Sequence, residues 1–532
     1  MRKSIEEFNE IYEKELMDRA VFMDNKNVLL QSFIYTFILG IIAHGYCFLN
    51  TLMSHDALNN VYIGSKWTRL RAGRFFYPLY LSWIRGRILV PWLIGILAIT
   101  WIAIAVYMIV KLFEIDRTSI IIAVAGICVA NPTVYLIAAT YLHDLDADMF
   151  ALMCAVLGAY LWSKSVTATI IKKRMTLLAV SAFATSVALG IYQSFLSVTI
   201  VLIMLVCIRD AIVGDDFIKI LNRGLQGIAM LALSAVFYVI ESVLFSSFTG
   251  ISILGNSDYN SLGNVANSLS SGIFGSIVAA YLDFIKTFKT LLTMDGTHLF
   301  LLAHIVIVVV IAALSGYSVI KMRWNNRVLF VLLGILMPFA MNVTYVLSGG
   351  VIHDLMRYAF WFVYLVALIL SIHFMKTACV SLKIRQGLYF AVLISAFVII
   401  FGNVQNANSI YMKKHLEYQG TLSYMTRVAD RIESHTDYIP GETPVLFVGE
   451  DAIGKSRYGF EKYERFTGVN ITSPLTFYDT YDQYFEYVLG LPLNFSEDYE
   501  LRQDERVQKM PTFPKEGSVT MIEGTMVVKL GE

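Results

Sequence analysis

His55 and Asp56 stand side by side in a polar stretch that follows a long apolar run. An aspartate at such a border can act as a general base on an attacking hydroxyl, provided its pKa and its reach suit the acceptor. It can equally cap a helix or lie on the surface. The same stretch, residues 51–87, reads TLMSHDALNNVYIGSKWTRLRAGRFFYPLYLSWIRGR and carries six cations: Lys66, Arg69, Arg71, Arg74, Arg85 and Arg87. Guanidinium groups grip phosphate oxygens in a bidentate fork, so the cluster suits a lipid phosphate or a phosphate-linked lipid substrate. The ordinary alternative is an interfacial helix. Phe75, Phe76, Tyr77, Tyr80 and Trp83 would then form an aromatic belt while the arginines snorkel to headgroups.

A second acidic group follows at His143-Asp144-Leu145-Asp146-Ala147-Asp148. Carboxylates at alternate positions can hold a divalent cation or orient sugar hydroxyls. They can also sit on the positive N-terminal end of the helix that follows, where anions gain about 0.3 to 1 kcal/mol. Tyr192-Gln193, in a very short turn, and His353, Asp354 and Arg357 are further polar residues at span borders. Each taken singly suits packing or capping; a shared depth on one face would make them a site.

These residues must be positioned by membrane helices. The chain is 57% apolar and 16% charged, against about 45–50% and about 25% in soluble domains, which argues against an ordinary soluble enzyme. The charge is divided unevenly, with 50 charged residues in 1–401 and 33 in the 131 residues from Gly402. A bilayer crossing takes about 20 apolar residues. Eleven such stretches begin near Val28, Ile88, Ser119, Met149, Thr176, Ser194, Gly224, Leu299, Val328, Arg357 and Gly387, the one at Met149 being short. Residues 1–27 form a charged, helix-like segment, and the first apolar run lacks a cleavage site and is expected to remain as an anchor.

Basic clusters at 111–117, 164–174, 209–223, 321–327 and 376–385 lie in every second loop and so all fall on one side, and short loops rich in Lys and Arg stay in the cytoplasm. This predicts a cytoplasmic segment 1–27, a transmembrane domain 28–401 and an extracytoplasmic domain 402–532. The loop at 51–87 then breaks the rule, with six cations outside. The tail, with 20 acids against 13 bases, reads as a helix through Arg431, a buried strand at Val445–Val448 and a hairpin about Glu523-Gly524, a small α/β or α+β domain. It contains no nucleophile elbow or phosphate loop. Nucleic acid is a poor candidate partner, and all five cysteines lie in apolar runs as small hydrophobes.

The acid-containing first loop with Gly73-Arg74, the Gly190-Ile191-Tyr192-Gln193 turn, the His353–Tyr358 segment HDLMRY and the ending MPTFPKEGSVTMIEGTMVVKL together resemble bacterial membrane glucosyltransferases of the Gtr type II, O-antigen-modifying kind, within the GT-C superfamily. The likeness covers essentially the whole chain and rests on diffuse motifs. It implies a polytopic α-helical, GT-C-like fold of about 11 transmembrane helices in the bacterial cytoplasmic membrane. It also implies an inverting enzyme that moves a hexose, glucose favoured, from a polyprenyl-phosphate donor to a surface polysaccharide or glycolipid. Asp56 would be the catalytic acid of the first loop. The family's pattern there has two adjacent acids, where this chain has His55-Asp56.

The resemblance sorts the candidates by role. Asp56 takes the acceptor proton, and Lys66, Arg69, Arg71, Arg74, Arg85 and Arg87 hold the donor phosphate. His55, His143, Asp144, Asp146, Asp148, Tyr192, Gln193, His353 and Arg357 face sugar or acceptor, and Asp144, Asp146 and Asp148 would hold a divalent cation if one is used. A lipid-linked sugar flippase is the alternative, but it calls for polar residues through the membrane midplane or paired broken helices, whereas these acids gather at one face. An anchored wall-binding protein leaves the charged loops unexplained.

Overall fold

A computed structural model describes residues 2–63, 68–251, 273–292, 297–377, 380–449, 460–466, 468–469, 475 and 478–531. Lys66 and Cys379 lie outside the described residues. Eleven helices among the described residues are long and apolar enough to cross a bilayer, and each begins within about two helical turns of its expected start. The chain is a mostly helical, multi-pass membrane protein. The expected charged N-terminal segment continues into the first span as one helix, Arg2–Leu49.

The bundle is built around the third span, Thr118–Thr140, whose most apolar 18-residue stretch is 94% buried, whereas that of Phe217–Thr249 is only 22% buried and lies at the periphery. That central span is broken. Asn131, extended at φ −124° and ψ 160°, separates Thr118–Val129 from Pro132–Thr140. Its amide donates to the carbonyls of Ile127 at 3.0 Å and Cys128 at 2.9 Å, and its oxygen accepts from the Val134 N–H at 3.2 Å. Pro132 at the first position needs no N–H partner. One side chain thus satisfies orphan groups at both helix ends, which is what allows a break inside a buried span. The second half then delivers Thr140, the turn Leu142–Asp144 and the span Leu145–Thr167, so the acidic turn sits at the centre of one end of the bundle.

The last span and the tail share one helix, Leu382–Glu433, which runs through position 401 without interruption. Beyond it lies a four-stranded sheet in the order β2-β1-β4-β3, where β1 is Pro444–Val448, β2 Asn494–Phe495, β3 Val519–Ile522 and β4 Thr525–Lys529. β1 pairs in parallel with β2 and β4, and β3 and β4 form the hairpin expected about Glu523-Gly524. The sheet packs on the last turns of the long helix through Val445, Phe447, Met526 and Val528 against Met425, Val428 and Ile432. Residues 460–466 and 468–469 lie against the membrane bundle. Tyr463, Phe466 and Val469 join the bundle's core, and the Val469 carbonyl accepts from buried Lys413 at 2.9 Å. Lys413 is itself paired with Glu417.

Candidate active site

Asp56 lies in a one-turn helix, His55–Leu58, whose N-cap is Ser54. The Ser54 hydroxyl accepts from the Ala57 N–H at 3.2 Å and donates to the Thr140 carbonyl, so the turn is fastened to the end of the broken span. The Asp56 side chain remains 32% exposed, and its Oδ2 is 3.1 Å from His55 Nε2. Burial works to raise its pKa, but the hydrogen bond and charge of His55, with His143 behind it, outweigh burial and hold the carboxyl below its usual range. The other side of the turn belongs to the tail. Leu58 is fully buried in the core formed by Met425, Phe447 and Val528, and Met53 and Val61 pack against that core.

The first-loop arginines divide into two groups. Arg69 Nη1 donates to Asp144 Oδ2 at 2.6 Å, with its guanidinium 4.7 Å from the Tyr77 ring centre. Burial opposes the charged form of Arg69, but Asp144 overrides it and raises the pKa. Arg85 is buried, donating to the His143 carbonyl at 2.6 Å and to Asp146 at 3.3 Å. Asp146 also accepts from Tyr80 at 2.9 Å, and Tyr80 accepts from Trp101 at 3.1 Å. Burial and Asp146 both raise the Tyr80 pKa, keeping its proton in place. Arg85 therefore sits in the interior on Asp146, not at a surface open to a phosphate. Arg87 stacks on Tyr62, 5.4 Å from the ring centre.

Arg71 is exposed and Arg74 part-exposed, and neither is ion-paired among the described residues. Arg74 lies over the Tyr192 ring at 4.4 Å. The Tyr192-Gln193 turn reaches the same loop through Gln193, which donates to the Ala72 carbonyl at 2.8 Å and to Tyr238 at 3.2 Å, while Tyr238 donates to the Gly73 carbonyl at 3.1 Å. Gly73 has φ +72°, and a Cβ there would collide with the Tyr238 hydroxyl and approach Gln193 Nε2 to 2.9 Å. The glycine before Arg74 is thus required both by conformation and by space.

The carboxylates of 144–148 divide: Asp144 and Asp148 act on each other and share Arg69 and Arg74, while Asp146 turns to Arg85 and Tyr80. Asp146 and Asp148 lie in the first turn of Leu145–Thr167, and both are buried, as is His143. Among the described residues no three His, Cys, Asp or Glu side chains form a group that could hold a metal ion. Asp144 and Asp146 are engaged in ion pairs with Arg69 and Arg85.

His353, Asp354 and Arg357 form a second polar group. Arg357 Nη2 donates to Asp283 at 2.7 Å and its Nη1 pairs with Asp354. Asn342 holds the other Asp283 oxygen at 3.0 Å. Burial lowers the His353 pKa, with Asp354 opposing. This group is linked to the Asp56 turn by Pro132–Thr140: Thr133 donates to the Asp354 carbonyl at 3.3 Å at one end, and Thr140 accepts from Ser54 at the other. Asp283, Lys286 and Arg465 escaped the sequence reading. The first two stand with Thr287 and Thr290 at i, i+3, i+4 and i+7 in a stretch too polar for a span, a helix-face pattern that was readable.

Eleven apolar helices among the described residues, and one end where acids, arginines and aromatic rings meet, define a multi-pass membrane protein with a polar site at the border of its bundle. The family model described as Glucosyl transferase GtrII matches residues 45–374, and the chain belongs to this family of glucosyltransferases. No curated protein and no solved structure matches the chain.

Proposed function

We propose that the protein is a GT-C-like, inverting transferase that moves a hexose, with glucose favoured by the family, from a polyprenyl-phosphate carrier to a surface glycan such as an O-antigen. The reaction would take place on the extracytoplasmic side of the bacterial cytoplasmic membrane. The observation that carries this reading is a part-exposed Asp56 kept ionised by His55, in the same first loop as Arg71 and Arg74, neither of which is in a direct ion pair among the described residues.

Asp56 takes the proton of an acceptor hydroxyl as its oxygen forms the new bond to the anomeric carbon. The bond from that carbon to the carrier phosphate breaks on the opposite face, and one displacement inverts the centre. Arg74, assisted by Arg71, offers fixed donors to the charge developing on the departing phosphate. Arg69 and Arg85 act one step removed, holding the acidic turn and the loop in register. His55 keeps Asp56 ionised. The alternation of basic loops supports the assignment of sides, with Lys173 cytoplasmic and Asp56, Gln193 and Val445 outside.

A lipid-borne donor also fits the distribution of chain. Nucleotide sugars are cytoplasmic, and the loops assigned to that side are short and basic. Purified protein in detergent, given labelled polyprenyl-phosphate glucose or labelled nucleotide glucose with an acceptor glycan, is expected to transfer only from the lipid. Transfer from the nucleotide sugar alone, in a preparation free of carrier lipid and other transferases, would overturn the reading.

A further inference from the structure

A cavity of about 300 Å³ opens between the helix Ile273–Leu292, the Asp354–Trp361 segment and the tail residues Arg465 and Phe466. The helix is two-faced. Phe274, Val278, Leu282 and Ile285 are exposed along one stripe, a spacing that in a membrane protein puts them into lipid at the interface. The opposite stripe, Asp283, Lys286, Thr287 and Thr290, lines the cavity. Arg465 closes the far wall, donating to the Thr290 carbonyl at 3.2 Å.

The lining combines two chemistries. Asp283 and Asp354 flank Arg357 and offer acceptors to hydroxyl groups, while Phe466 and Trp361 supply apolar faces. Three cations, Lys286, Arg357 and Arg465, stand against these two carboxylates, so the cavity carries one positive charge in excess. Arg357 is neutralised by its two acids, whereas Lys286 is exposed and has no ion-pair partner among the described residues. A neutral sugar would leave that ammonium unanswered. A choline or ethanolamine headgroup would leave the carboxylates without hydroxyls.

The volume is at the small end of ligand pockets. Its position bears on the reaction, because Pro132 lines the cavity and Thr140, eight residues along the same helix, holds the Asp56 turn. At 1.5 Å rise per residue the two places are about 12 Å apart. That is too far for the hydroxyl that Asp56 would deprotonate. It suits another residue of the same glycan.

We infer that the cavity lined by Asp283, Lys286, Arg357 and Arg465 is a subsite for an anionic sugar residue of the acceptor, a uronate or a sugar phosphate. As an acceptor subsite it rests on the transferase reading given above; as a site for an acidic sugar it stands on the cavity alone. The test uses the full chain in nanodiscs of phosphatidylcholine and reads binding separately from transfer. Acylation of the Lys286 amine, followed by mass spectrometry, is measured with glucose, a glucuronate-containing disaccharide and glucose 6-phosphate. The acidic sugars are expected to protect Lys286 and glucose is not. Lys286→Gln is expected to weaken binding of the acidic disaccharide about tenfold, the loss of one charge-assisted contact, and Arg465→Gln to weaken it as well. Equal protection by glucose would overturn the inference. So would protection by phosphatidylglycerol nanodiscs without sugar, which would make the cavity a lipid site. Selective protection in a protein that transfers nothing from any donor would instead remove the transferase reading and leave the sugar site standing.

Discussion

Arg69 Nη1 donates to Asp144 Oδ2 at 2.6 Å and so ties the loop after the first span to the turn that opens the fourth. Removing one partner of a buried pair costs about 3–5 kcal/mol. Arg69 is 21% exposed, which reduces the expected loss to about 2–3 kcal/mol for Arg69→Met or Asp144→Asn. The double variant should lose less than the two singles together, because neither charge is then left alone. Unfolding in detergent through a double-mutant cycle measures this. Strict additivity would mean that the pair does not hold loop and turn together.

Asp56 is held below the ordinary aspartate range, so its base form persists as pH falls, and the acid limb of kcat/KM should lie below about pH 3.9. His55→Gln removes the charge that helps to lower it while leaving burial, which raises it, so the limb should move to higher pH. Asp56→Asn should reduce transfer about 100-fold or more with donor binding retained. A His55→Gln profile that superimposes on the parent would dissociate His55 from the carboxylate.

The spans were legible because about 20 successive apolar residues leave little choice in a bilayer, and the hairpin about Glu523-Gly524 because turn residues flank two short β-patterned runs. The joins across sequence were not. Arg69 and Asp144 are 75 positions apart, and Arg357 and Asp283 are 74 apart. Six arginines and lysines in one loop look alike as letters, yet Arg85 is consumed by buried Asp146 while Arg74 faces an aromatic ring. Asn131-Pro132 carried the signal of a break, but the eleven-span reading passed through it, since both halves are apolar. The entry of Tyr463, Phe466 and Val469 into the bundle has no sequence signature beyond three apolar side chains in a polar tail.

Arg74 and Arg85 provide a contrast within one loop. Arg74→Ala should raise the donor KM about tenfold, the loss of one charged contact to phosphate, and cost less stability than Arg85→Met, because its charge acts on Asp144 and Asp148 without a direct ion pair. Arg85→Met should do the reverse, lowering stability by about 3 kcal/mol as buried Asp146 loses its counter-charge, with donor KM unchanged in the folded fraction. Calorimetry and steady-state kinetics on the same preparations separate the two. Similar behaviour of both variants would return Arg74 to a packing role.

Leu58 follows Asp56 by two residues and is fully buried in the core shared by Met425, Phe447 and Val528. The tail thereby grips the turn from one side while Ser54 ties it to Thr140 on the other. Leu58→Ala should cost about 2–5 kcal/mol and, at temperatures where the protein is still folded, should also lower kcat with donor KM unchanged, because the turn loses its anchor on the tail side. Val528→Ala opens a hole in the same core away from the turn and serves as the control. If Leu58 acts only through stability, the two variants will lose activity in proportion to their unfolding midpoints. If it positions Asp56, kcat will fall in Leu58→Ala alone and return in Leu58→Met, which conserves volume at a cost of under about 1.5 kcal/mol.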